Sequence, residues 1–107
     1  MEAKKEIIVK EVINDNKAIT IEQGEMLFDR INELYQKILE LKIRSREVIE
    51  ISFEGIEEVS MDFLLKSFSN FRPEEIINYF IIKDIETMEI LKLIKLNLSN
   101  MIMLLDT

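Results

Sequence analysis

Glu54, Glu57, Glu58 and Asp62 crowd into one short stretch of the chain, with Ser60 and Met61 among them. Carboxylates at this density can steer a basic partner, hold a divalent cation, or divide into an acid and a base. The D-x-D-x-D-G spacing of a calcium loop is absent, so a cation is the weakest of these readings. A plain alternative is a solvated face in which Asp62 merely serves a helix N-terminus. Ser60 reads most simply as an N-cap. As a nucleophile it would need a base, and Lys66 is not suggestively placed for that task. Gly24 lies between Gln23 and Glu25 with no second glycine near it, so it does not read as a phosphate cradle.

What the chain lacks narrows the chemistry further. It has no histidine and no cysteine. Disulfides, thiol chemistry and imidazole chemistry are therefore excluded, and with them the Ser-His-Asp and Cys-His nucleophile systems. Zinc, copper and haem sites usually need one of those side chains. The expectation is no catalytic residue, no metal, no cofactor, and so no enzyme. Met61, Met88, Met101 and Met103 read as core fillers. Tyr35, Phe68, Phe71 and Tyr79 are scattered in sequence and do not suggest a stacking platform for bases.

The 107 residues carry a net charge of −7, with 48% hydrophobic and 33% charged residues. That balance suits one globular domain spanning residues 1–107, with the charged start Met1–Lys5 read as a tail that need not be ordered. An acidic domain repels nucleic acid and anionic lipid unless a basic face is segregated, so direct nucleic-acid binding is not expected. The local basic run, Lys42, Arg44 and Arg46, falls where a helix should end and suits its dipole. No apolar stretch reaches the roughly 18 residues of a membrane span, and Met1–Lys5 lacks the apolar segment of a signal peptide. Membrane insertion is not expected, and cytoplasmic residence is.

The elements that must position these residues alternate in type. Ile7–Ile13 is rich in β-branched residues and predicts a strand. Asn14-Asp15-Asn16 is a turn cluster, and Ala18–Ile21 predicts a second strand, so a hairpin is expected. Leu27, Ile31, Leu34, Ile38 and Leu41 form one apolar stripe and predict a helix over Glu25–Lys42. Val48–Phe53 predicts a strand, followed by Gly55. Ser60 then caps a helix carrying Met61, Leu64, Leu65 and Phe68, which Asn70 to Pro73 should close. A buried strand is expected from about Tyr79 through Ile82. Asp84 should cap a last helix carrying Met88, Leu91 and Ile94, with Asn97 and Asn100 at its end. Met101–Leu105 is read as a final short strand in preference to a continued helix. The order is β-β-α-β-α-β-α-(β): an α/β fold with one mixed sheet, an antiparallel edge, and helices mainly on one face.

The segment Ile49-Glu50-Ile51-Ser52-Phe53-Glu54-Gly55-Ile56-Glu57-Glu58-Val59-Ser60, with the apolar helix after it, resembles the STAS domain (sulphate transporter and anti-sigma factor antagonist). It looks most like the small bacterial STAS-like group of unassigned function. Ile81-Ile82-Lys83-Asp84 and Ile90–Leu98 resemble that family's next strand and helix, with Asn97 where the family commonly has Gly. The resemblance runs from about Val48 to Asn100, while the first forty residues match only in element order. It implies a regulatory fold whose partner meets the loop before the second helix. In the family that helix starts with a regulatory Asp-Ser; here Ser60 and Met61 occupy those positions. Methionine cannot accept phosphate, so the resemblance implies a module without the usual phosphoacceptor.

Two readings of function follow. One is a non-enzymatic regulatory module, a monomer or weak homodimer. It would bind a basic protein surface through Glu54, Glu57, Glu58, Ser60, Met61 and Asp62. By resemblance the partner is a regulatory ATPase or kinase-like protein. The other is a small acidic inhibitor, of the kind phages encode, that fills the basic groove of a nucleic-acid-binding enzyme. The second requires carboxylates strung along one extended face.

Overall fold

The computed structural model describes residues 5–40 and 47–105, with side chains as far as residue 96. Chain order is β1 (Lys5–Ile8), α1 (Val9–Ile13), β2 (Lys17–Ala18), α2 (Ile21–Glu40), β3 (Ile49–Ser52), β4 (Glu58–Val59), α3 (Met61–Phe68), α4 (Pro73–Tyr79), β5 (Phe80–Lys83) and α5 (Thr87–Leu105). The fold is mixed α/β. Lys5, placed in the tail by the sequence, begins β1. The basic run at Lys42, Arg44 and Arg46 lies outside the described residues.

Every strand pairing among the described residues is parallel. One sheet has the order β1-β3-β5, and a second pairs β2 with β4. The expected hairpin and antiparallel edge are therefore absent among the described residues. The reason lies in Val9–Ile13. Val9 and Ile13 are one helical turn apart and both buried, while Lys10 and Glu11 between them are exposed. That is a 3.6-residue period, which outweighs the β-branched composition. Asn14 does take the left-handed conformation expected of a turn residue, at φ 52°, but as the C-cap of α1.

Strand order follows chain order across the larger sheet, so each crossover steps the same way. Right-handed crossovers then bring their helices to one face. α2 packs on β1, β3 and α3, and α3 packs on α5. Leu27, Ile31 and Leu34 of α2 meet Ile7, Ile49 and Ile51 of the sheet, Phe63 and Phe68 of α3, and Ile90, Leu91 and Ile94 of α5 in one buried cluster. The paired rows Ile7–Ile51–Ile82 and Glu6–Glu50–Ile81 lie on opposite faces. Ile81 was expected in the core and is 44% exposed, because the inward positions of this edge strand are Phe80 and Ile82. Leu64 is only partly buried.

Three more expectations are corrected. Pro73 does not simply end a helix. α3 stops at Phe68, and Pro73 opens α4 at its first position, where a missing N–H costs nothing. Asp84 does not cap α5, which starts at Thr87. It sits at φ 67° and accepts from the Ser52 hydroxyl at 3.3 Å. Met101–Leu105 is helix, not strand, continuing α5; the Asn97 and Asn100 expected to stop it lie inside it.

Core and edge should separate cleanly on mutation. Ile51→Ala, at a fully buried central position, is expected to cost about 2–5 kcal/mol in urea unfolding. Ile81→Ala is expected to cost less than about 1 kcal/mol. Equal losses would show that the outer sheet face is also packed.

Candidate protein-binding site

Local hydrogen bonding builds the site around Ser60. β4 lies beside β2 with Lys17 opposite Glu58 and Ala18 opposite Val59. The Glu57 amide donates to the Asn16 carbonyl at 2.7 Å, and the Ser60 amide to the Ala18 carbonyl at 2.9 Å. The Ser60 hydroxyl donates to the Ile19 carbonyl at 2.7 Å and accepts from the Phe63 amide at 3.1 Å. Ser60 is thus the expected N-cap of α3, and also a tether between α3 and the chain entering α2. Its hydroxyl proton is committed to a carbonyl oxygen, not to a base. Phosphorylation there would break the tether.

The preceding turn depends on Gly55. Its φ of +81° is strained for any side chain, and an added Cβ would lie 3.1 Å from the Lys10 stem. The Glu54 amide donates to the Ser52 hydroxyl at 3.2 Å, which anchors the start of the loop to β3. Glu54, Glu57, Glu58 and Asp62 are all exposed, and Ser60 is half-buried. Met61, on the first turn of α3, is 61% exposed, and Met88, on α5, is 57% exposed, so neither fills the core as expected. The side chains of Met101 and Met103 lie outside those described.

Residues that sequence reasoning missed complete the surface. Thr20 and Gln23 form a reciprocal cap on α2. The Gln23 amide donates to the Thr20 hydroxyl at 3.1 Å, and the Gln23 side-chain oxygen accepts from the Ile19 and Thr20 amides at 2.9 and 3.0 Å. Thr20-x-x-Gln23 is a capping-box signature and would have started the helix at Ile21 in place of a strand ending there. Between α2 and α3 runs an open groove of about 370 Å³ lined by Ile21, Asp62, Leu65, Lys66 and Ser69. Ile21 is 53% exposed.

Away from this surface the scattered aromatic residues converge. Phe28, Tyr35, Phe71, Tyr79 and Phe80 form a chain of ring contacts with centroids 5.0–5.9 Å apart. It is a packing cluster with Tyr35 buried at its centre. The Tyr35 hydroxyl donates to the Glu75 carboxylate. Burial, and then this bond, push the tyrosine well above its ordinary value. The same bond, helped by the Arg72 amide, holds Glu75 below the usual carboxylate range.

Among the described residues no group of three or more acidic side chains is placed to hold a metal ion, and no helix is long and apolar enough to cross a membrane. Compared with protein-family models, curated proteins and solved structures, the chain matches none.

Two measurements probe these links. Ser60→Ala is expected to lower stability by about 0.5–2 kcal/mol through the lost cap, read by thermal unfolding. Tyr35→Phe tests the part-buried Tyr35–Glu75 pair across pH. The Glu75 contribution is fully present above its unfolded value and is lost as pH falls through its depressed folded value. The Tyr35 contribution is fully present below its unfolded value and is lost as pH rises through its raised folded value. The melting-temperature gap between wild type and Tyr35→Phe should be widest near neutrality and narrow toward both extremes. A constant gap would remove the proton-linked role.

Proposed function

We propose that this chain is a non-enzymatic regulatory protein-binding module of STAS-like type without the usual phosphoacceptor. Its binding face is the turn and helix start at Glu54, Glu57, Glu58, Ser60, Met61 and Asp62. The observation that carries the reading is Met61. A large apolar side chain is 61% exposed beside the Ser60 tether, with exposed carboxylates on either side in sequence. Methionine is enriched at protein interfaces, whose apolar centre is commonly ringed by a polar rim. The tether and the β2–β4 pairing hold that anchor on regular elements, so little ordering remains to be done on binding. The carboxylates favour a basic partner surface and would act mainly on association rate. By resemblance the partner is a regulatory ATPase or kinase-like protein.

One observation favours the second reading, an acidic inhibitor of a nucleic-acid-binding enzyme. Glu22, Glu25, Asp29, Glu33 and Glu40 are exposed along α2 and fall on one flank by helical spacing. Successive turns put the first four about 5.4 Å apart along the axis. Arg30 at 3.2 Å and Lys37 at 3.7 Å offset Glu33, which weakens the stripe as a phosphate mimic.

Two charge-reversal variants separate the readings. Cross-linking in host lysate followed by mass spectrometry compares wild type with Glu54→Lys/Glu57→Lys/Glu58→Lys and with Glu22→Lys/Glu25→Lys/Asp29→Lys. Both variants should fold normally, since exposed charges contribute little to stability. The loop variant is expected to lose the main partner at moderate salt and the α2 variant to keep it. The reverse result would favour the inhibitor, and retention by both would remove the acidic surface from the function.

A further inference from the structure

The groove between α2 and α3 has one apolar residue on each helix, with one acidic and one basic side chain beside them. Ile21 contributes from α2 and Leu65 from α3, with Asp62, Lys66 and Ser69 completing the lining. Met61 stands one turn before Leu65 and Glu25 one turn after Ile21, so each continues a wall beyond the groove. Met61 and Glu25 are exposed. Single exposed apolar residues are ordinary on protein surfaces. Here Ile21 and Leu65 share a concavity, so one apolar side chain placed in it would shield both from water.

The walls are held close and rigid. A Cβ on Gly24 would lie 2.7 Å from the Lys66 Cβ and 2.9 Å from the Phe63 carbonyl oxygen. The buried Ser67 hydroxyl shares its proton between the Phe63 carbonyl at 2.8 Å and the Gly24 carbonyl at 3.3 Å. The groove therefore exists before any ligand arrives. Its walls are the first turn of α2 and the turns of α3. They offer side chains and no free strand edge, which suits a helix laid in the groove and not an added strand.

We infer that this groove receives the apolar face of a cationic amphipathic helix presented by the partner protein. Ile21, Leu65 and Met61 would take its apolar side chains, and Glu25 and Asp62 its flanking lysines or arginines. Lys66 is the cation in the lining, and its stem packs toward Gly24. On a chain of net charge −7, charge complementarity selects a basic helix over an acidic one. The inference rests on the binding-module reading and adds where the partner's apolar residues go.

The test is a methyl NMR titration of the full chain, labelled at isoleucine, leucine and methionine methyls. Three synthetic helical peptides serve as probes: leucine with lysine, leucine with glutamate, and serine with lysine. The leucine–lysine peptide is expected to shift the Ile21, Leu65 and Met61 methyls saturably. It should bind about tenfold more tightly than the serine–lysine peptide, the loss expected when anchor contacts are removed. Ile21→Ser and Met61→Gln, both exposed positions, should each weaken it severalfold with the remaining spectrum unchanged. If both lysine peptides bind equally and only signals near Glu54, Glu57 and Glu58 move, the groove inference is overturned while the acidic-loop reading survives. Equal binding of the leucine–glutamate peptide would overturn the charge assignment and the inference with it. Binding by neither lysine peptide would count against both the groove and the module.

Discussion

Gly24 has no side chain, and the packing of α2 on α3 requires that. Any Cβ there would meet backbone at Phe63 and the root of a side chain at Lys66, neither of which can swing away. The two helices close on each other at this point, and Ser67 uses the closeness to bond across it. From that crossing follow the position of Phe63 and Phe68 in the core, the groove at Ile21 and Leu65, and the height at which α3 begins. Ser60 sits at that beginning and reaches the Ile19 carbonyl only because the helices cross where they do. A serine read as a local cap is also a tertiary tether.

The sheet imposes the second constraint. Three parallel strands in chain order send their crossovers to one side, and α2 and α3 pack together there. The opposite face carries Glu6, Glu50, Ile81 and Lys83, with Lys83 paired to Glu50 at 3.4 Å. The central strand is therefore buried along its whole length while alternating apolar and polar residues. Its inward isoleucines lie under the helices, and its outward Glu50 and Ser52 are covered or bonded by neighbours. This arrangement explains why Ile81 and Ile51, similar in sequence context, differ so much in exposure.

Parts of this were legible from residue order. The stripe at Leu27, Ile31 and Leu34 marked α2, and Val48–Phe53 marked the central strand, observed as Ile49–Ser52. Ser60 marked the start of α3, because caps and periodicity act within a few residues. Two further local signals point to helix. The spacing of Val9 and Ile13 is helical despite their β-branched side chains, and Thr20-x-x-Gln23 starts a helix where alternation suggested a strand. In both cases local hydrogen bonding and burial period outrank propensity.

By itself the sequence determined the chemistry that is excluded, since a chain without histidine or cysteine cannot use them. It also determined the acidic character of the Glu54–Asp62 segment and the main amphipathic elements, all of which are local properties. Only the tertiary structure decided that the strands pair in parallel and that Met61 faces outward. It alone decided that Ile21 meets Leu65 across a groove, and that Tyr35, Phe71, Tyr79 and Phe80 form one cluster bonded to Glu75. Each of these joins residues far apart in the chain. Their meeting is set by crossover handedness and by how closely two helix backbones can approach, and neither is written in the spacing of neighbouring residues.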